Sequence, residues 1–332
     1  MEKKRVVSGI QPTGNIHLGN YLGAIKNWVN MQNEYDSFFF LADLHAITLD
    51  QNPEELRNEV YKQAASLIAL GIDPSKSTLF IQSQVREHCE LTWILGCTCP
   101  TGWLKRMTQF KDKSSKKDEV SSRWGLFSYP ILMASDILLY EADLVPTGED
   151  QKQHVELTRD LAESFNRKFQ INCFKVPEPL ITGSATRIKS LRDGTKKMSK
   201  SDPSDQSRIN ITDSEDEIID KIKKAKTDSL DYISYEESRL EVSNLLEIFA
   251  SITERNPDAI ALEYRDLGFG KFKKDLGEIL AHHLNPINKQ YKLIRDDKQY
   301  LQSILKQGAE KASDQASSVM ERVKNVVGFL SF

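Results

Sequence analysis

The chain has 332 residues, 39% of them hydrophobic and 28% charged, the proportions of an ordinary globular protein able to bury a full core. Its 45 basic and 48 acidic residues give a formal net charge of -3, which excludes the global positive field of a nucleic-acid binder and leaves only local patches for such a partner. No signal-peptide core follows Met1-Glu2-Lys3-Lys4-Arg5 and no stretch approaches a membrane span, so a cytoplasmic protein with no membrane partner is expected.

Taken in chain order, Arg5 to Ile10 reads as a strand that runs into Pro12-Thr13-Gly14 and then a helix from Gly19 to Glu34. Ser37 to Ala42 holds the apolar run Phe38-Phe39-Phe40-Leu41 of a buried parallel strand, with Asp43 and His45 at its carboxyl end, where open parallel sheets place ligands. Asn52-Pro53-Glu54-Glu55 is a helix start, and Leu79-Phe80-Ile81 a third strand. The alternation predicts an α/β fold built on a doubly wound parallel sheet.

From Lys111 to Trp124 the residues are Lys, Ser, Asp and Glu with little to bury, which predicts a mobile surface loop. Pro130 to Tyr140 and Gln151 to Phe169 read as helices, and beyond Ile211 the pattern is helical to the end, with a last amphipathic stretch from Gln299 to Val327. The carboxyl-terminal third is therefore expected to be an α-helical bundle. Cys89, Cys97, Cys99 and Cys173 lack paired metal-ligand spacing and are expected to be reduced, mostly buried thiols, with no structural metal.

Two segments carry chemistry. Gln11-Pro12-Thr13-Gly14-Asn15-Ile16-His17-Leu18-Gly19-Asn20 lies where the first strand hands over to the first helix, and helix amino termini attract phosphate. Read alone, it is also compatible with a tight turn capped by a histidine. Lys197-Met198-Ser199-Lys200-Ser201 packs two ammonium groups and two hydroxyls into five residues, enough to fold around a triphosphate. A solvated basic loop is the commoner meaning of such runs, yet at background usage this pentapeptide is expected in about one chain of this length in ten thousand.

The Pro-x-x-x-x-His-x-Gly-Asn turn paired with a downstream Lys-Met-Ser-Lys-Ser loop resembles the class I aminoacyl-tRNA synthetases. Thr108-Gln109-Phe110-Lys111, Tyr129-Pro130-x-x-Met133-x-x-Asp136-Ile137-Leu138 and Gly148-Glu149-Asp150-Gln151-x-x-His154 are similar to the bacterial tryptophanyl-tRNA synthetases. The resemblance runs from Ser8 to about Asn325. It implies a Rossmann-like catalytic domain over 1–190, with a helical dimer-contact insertion around 84–140, the lysine loop at 191–204, a helical anticodon-binding domain over 205–290 and a terminal helix region, 291–332, packing back on the core.

The resemblance further implies ATP and L-tryptophan as substrates, Mg2+ accompanying ATP, tRNA(Trp) as partner and a homodimer. Lys113, Lys197 and Lys200 are the expected catalytic residues. ATP is expected at Gln11, Pro12, Thr13, His17, Gly19, Asn20, Gly148, Glu149, Asp150, Ile188, Met198, Ser199 and Ser201 besides the two loop lysines. Tryptophan is expected at Val7, His45, Tyr129, Met133, Asp136 and Gln151.

The residues speak to the last group directly. Tyr129, Met133, Asp136 and Tyr140 are spaced to share one face of an otherwise apolar helix. Indole has one N–H donor and no acceptor, so a pocket selecting it needs one acceptor in apolar walls, which Asp136 can supply. A phenol can also donate to Asp136, so tyrosine specificity stays open, as does a purely structural pairing of this acid. His154 and Glu156 are equally compatible with helix surface. Lys221, Lys223, Lys224 and Lys226, and Lys271, Lys273 and Lys274, are either solvated faces or tRNA contacts.

Overall fold

The computed structural model of the protein describes residues 3–107, 123–148, 151–180, 187–200 and 202–330. Among them five strands form one parallel sheet in the order β3-β2-β1-β4-β5: β1 Arg5–Ile10, β2 Asp36–Leu41, β3 Ser77–Ile81, β4 Leu144–Pro146 and β5 Glu178–Leu180. The central β1 pairs with β2 along its whole length, from Arg5 opposite Asp36 to Ile10 opposite Leu41.

Alternation in β2 divides the sheet's two faces. Phe39 and Leu41 enter one core, Phe38 and Phe40 the other, so a continuous apolar run serves two cores at once. The first core takes in α2 (Lys26–Glu34), α4 (Pro53–Ala69) and a helical bundle of α9 (Glu215–Lys223), α10 (Leu240–Thr253), α11 (Pro257–Tyr264) and α12 (Gly268–Asp296). The second takes in α5 (Glu87–Gly96), α6 (Thr101–Lys105), α7 (Trp124–Leu138) and α8 (Lys152–Phe169). Among the described residues no helix is long and apolar enough to cross a membrane.

Local rules hold at the helix ends. Asn52 caps α4 by accepting from the Glu54 and Glu55 N–H groups, with Pro53 in the first turn. Ser214 and Glu217 form a reciprocal capping box on α9. The helix after β1 begins at Leu18, with α1 (Leu18–Asn20) followed by a π-helical turn, Tyr21–Ile25, before α2, and the short α3 (Asp43–Ala46) follows β2. The helix expected at Pro130 begins at Trp124 instead and contains Pro130.

Helix α13 (Lys298–Val327) closes the molecule, as the amphipathic pattern predicted. Leu301 and Leu305 lie in the first core and Ala309 to Val323 in the second, so this helix lies across the edge strand β3 and joins both. Gly308 sits at the crossing: a Cβ there would stand 1.9 Å from the Leu79 carbonyl oxygen. Covering an edge strand blocks its pairing with another chain.

Two expectations are corrected. Cys89 and Cys97 are exposed and Cys99 half-buried, so only Cys173 behaves as a buried thiol, because the first two face outward from α5 and its end. Lys221 is not part of a surface run. It is buried and paired with Asp205 and Asp213 at 2.5 and 2.6 Å. Lys224, Lys226 and Lys271 are likewise paired, with Asp220, Glu241 and Asp275, and Lys273 donates to the Ala225 carbonyl.

Replacing Gly308 by Ala is expected to force α13 away from β3 and to cost about 1–3 kcal/mol. A urea melt of Gly308→Ala against the parent chain measures this; an unchanged midpoint would show that the crossing yields without strain.

Candidate active site

A cleft of about 450 Å3 opens at the carboxyl ends of β1 and β2, where sequence reasoning placed a ligand. Gly9 is required on its floor, because a Cβ there would overlap the Phe40 ring at 2.4 Å. Of the expected residues, Val7, Gln11, Asn20, His45, Tyr129, Met133, Asp136, Gln151 and Lys197 all line this cleft. Gly148 is exposed nearby in sequence. Lys113, Glu149, Asp150 and Ser201 lie outside the described residues, as does Thr108-Gln109-Phe110-Lys111.

The deep end of the cleft is organised by Asp136 on α7, 1% exposed. Its Oδ2 accepts from His45 Nε2 at 2.7 Å, and its Oδ1 from Gln82 Nε2 and His88 Nδ1, both at 2.6 Å. His88 Nε2 meets the Tyr140 hydroxyl at 2.7 Å. Burial opposes the charge on Asp136, but the His45 ring and the bonds from His45 and His88 outweigh it and hold the carboxyl at about 2. Burial raises Tyr140 well above the ordinary phenol range, so its O–H stays intact.

A carboxylate offers about four acceptor positions, and three are filled. The open one belongs to the oxygen shared with His45, itself a cleft residue. The deep end is thus an acceptor that donates nothing. Sequence reasoning found Asp136 but missed Gln82 and His88, and treated His88 only as a poor zinc ligand. Nothing local marks them, since their partner lies 54 and 48 residues away.

Nearer the mouth, Tyr129 bonds His154 Nε2 through its hydroxyl at 2.9 Å, and burial lifts its pKa to about 12. His154 is buried, whereas Glu156 two residues on is exposed, which separates two residues the sequence could not tell apart.

Backbone pairing brings the two signature segments together. Leu18 N–H donates to the Ile209 carbonyl at 2.8 Å and Ile211 N–H to that of Ile16 at 3.0 Å, so the strand-like segment after the lysine loop docks on the first turn. The loop itself returns as a hairpin, with Met198 N–H on the Ile188 carbonyl and Ser190 N–H on that of Lys196. Asn244 of α10 holds its base by bonding both the N–H and the carbonyl of Lys189. Met198 and Ile188 are buried in the core and do not line the cleft, and Met198 lies where a Gly19 Cβ would meet it at 3.3 Å.

Pro12 is buried, while Thr13 and Ser199 are half-exposed beside this junction. Lys200 crosses the Gly14 turn, its Cβ 3.5 Å from where a Gly14 Cβ would be. His17 is 2% exposed, and its Nδ1 accepts from Asn20 N–H at 3.2 Å. Burial and the charges of Lys200, Arg208 and Lys197 lower it to about 3, so the imidazole is neutral and carries its proton on Nε2 as a donor.

His88→Ala leaves a buried carboxylate and a buried phenol each short of a partner, and is expected to lose about 3–5 kcal/mol. The acid limb follows from Asp136. Its pKa is depressed when folded, so its stabilisation is full above about pH 4 and disappears as pH falls toward 2. Melts of His88→Ala and the parent between pH 7 and pH 2 test both, and parallel curves of equal height would refute them.

The comparisons with known proteins agree with this geometry. Residues 1–285 match the model for tRNA synthetases class I (W and Y). The tryptophan--tRNA ligase of Rickettsia conorii is 57% identical, covering 99% of each chain, and that of Helicobacter pylori 51% identical over 99% of this chain and 100% of the other. The crystal structure of tryptophanyl-tRNA synthetase from Mycoplasma pneumoniae superposes with a TM-score of 0.89 at 33% identity, covering 99% of each chain. The Campylobacter jejuni enzyme complexed with ADP and tryptophan superposes at 0.84 with 35% identity, covering 98% of this chain and 100% of that one. On this evidence the chain belongs to the class I tRNA synthetases for tryptophan and tyrosine, among the tryptophan--tRNA ligases.

Proposed function

We propose that the cleft activates L-tryptophan with ATP and passes the aminoacyl group to tRNA(Trp), releasing diphosphate and AMP. The observation that carries the choice of amino acid is Asp136, an ionised, acceptor-only group at the end of a cleft walled by Val7, Phe40, Met133 and Ile137. Indole presents one N–H and nothing that needs a donor, so it satisfies this wall. A phenol would donate its proton too, but its oxygen adds lone pairs that the carboxylate, which donates nothing, leaves unsatisfied.

The tryptophan ammonium fits the Tyr129 hydroxyl and Gln151, both in the cleft. The carboxylate is ionised at neutral pH, so it attacks the α-phosphate without a general base. The new C–O–P bond forms in line as the bond to the β-phosphate breaks, and the electron pair leaves with diphosphate. Catalysis is positioning and charge compensation by Lys197 in the cleft, Lys200 beside the Gly14 turn, the His17 Nε2–H and, by resemblance, Lys113, while the resemblance gives Glu149 and Asp150 to ATP binding, Asp150 accepting from the ribose hydroxyls. Mg2+ would enter with the ATP phosphates as part of the substrate, as the resemblance implies. The 2′-hydroxyl of the terminal adenosine then takes the acyl group, with AMP leaving.

The bundle of α9 to α12 is assigned to the anticodon, and the working unit is a homodimer in the cytoplasm. A dimer has a natural face: Trp93 and Trp124 are 66% and 68% exposed beside a groove of about 200 Å3, within the 84–140 region.

ATP–diphosphate exchange with tryptophan and tyrosine side by side tests the substrate; preference for tyrosine would overturn it. Lys200→Ala should slow adenylate formation about 10²–10³-fold while tryptophan binding changes little. Sedimentation of Trp93→Glu should show monomer, and an intact dimer would move the interface elsewhere.

A further inference from the structure

Lys200 is the loop lysine whose surroundings are least explained. Its side chain lies along the Gly14 turn, with Cβ, Cγ and Cδ all within 3.9 Å of the position a Gly14 Cβ would take. The turn is held from behind by α4, where Gln63, 2% exposed, donates from Nε2 to the Gly14 carbonyl at 2.6 Å. One helical turn earlier, Glu59 shares that face of α4. Its Oε1 accepts from Lys62 Nζ at 2.8 Å. Glu59 Oε2 and Gln63 Oε1 are both buried and, among the described residues, accept no hydrogen bond. Buried acceptors without donors are rare enough to require an account.

We propose that Glu59, with Gln63 beside it, is the counter-charge that positions Lys200 and keeps its ammonium ionised at the Gly14 turn before ATP arrives. This rests on the assignment of Lys200 to the ATP phosphates. A lysine partly withdrawn from water, as half-buried Lys200 is, holds its proton less firmly, and a neutral amine can neither attract a triphosphate nor compensate the leaving group. Burial lowers Lys200 to about 8, and Glu59 acts in the opposite direction. The other groups facing Lys200 do not help. His17, on which the charges of Lys200, Arg208 and Lys197 all act, is neutral; Lys197 and Arg208 are cations, Arg208 paired with Asp205, and Lys62 is a cation already committed to Glu59. Glu59 is therefore a positioning residue and not one that touches substrate.

The test is the pH dependence of ATP–diphosphate exchange by the full-length enzyme carrying Glu59→Gln. Removing the carboxylate lowers the pH at which Lys200 loses its proton, so the alkaline limb should move to lower pH by about one unit, a deficit of about tenfold at pH 8.5 that closes by pH 6.5. The KM for tryptophan should not change. Glu59→Asp should fall between the two, and it serves in place of Glu59→Gln if the latter melts early. In a Lys200→Ala background Glu59→Gln should add nothing.

An unshifted limb, a loss equal at every pH, or a full effect in the Lys200→Ala background would each overturn the proposal. A Lys200→Ala enzyme of normal rate would instead overturn the assignment of the loop lysine on which it rests.

Discussion

The site depends on one buried carboxylate that must remain charged. Asp136 gathers donors from three separate elements: His45 after β2, Gln82 after β3 and His88 on α5. Each element ends or begins near the carboxyl edge of the sheet, so the same bonds that satisfy the charge also fix the cleft's deep wall. An ion taken out of water is tolerated only when fully ligated, which makes these contacts obligatory. His88 passes the constraint on to Tyr140, whose hydroxyl it meets at the far side of the ring.

The opposite end of the cleft is built on a different principle. There cations are brought close to one another, Lys197 and Lys200 from the loop and Arg208, paired with Asp205, just beyond it, beside a histidine kept neutral by burial and by their charges. Such an arrangement holds a positive potential suited to a polyanion. The scaffold under it is main chain, the pairing of Ile16 and Leu18 with Ile209 and Ile211, and the Asn244 clasp on Lys189. The basic loop is thereby anchored at its base, with Lys197 exposed and Lys200 half-buried.

Helix α13 supplies the third element of the design. By lying across β3 with Gly308 against the Leu79 carbonyl, it ties the cores on the two faces of the sheet into one body. The bundle of α9 to α12 shares the first of those cores with α4, the helix that carries Glu59 and Gln63. A contact on the bundle thus has a packed route to the helix behind the Gly14 turn.

The sequence by itself determined much of this. The continuous apolar run Phe38 to Leu41, the proline and acids opening α4, the amphipathic stripe of α13 and the one-face spacing of Tyr129, Met133 and Asp136 all follow from composition, capping and a 3.6-residue repeat, which are local. The rare lysine pentapeptide and the turn after β1, which carry the proposed nucleotide site, are local as well, legible from composition and order without any partner at long range. Only the tertiary structure decided that Gln82 and His88 serve Asp136, that Lys221 is a buried ion-pair partner and no surface contact, that Met198 packs inward between two lysines that do not, and that Glu59 faces the turn Lys200 crosses. These pairings join residues from 8 to well over a hundred positions apart, and partner choice at that range depends on how the helices dock on the sheet, which no local periodicity encodes.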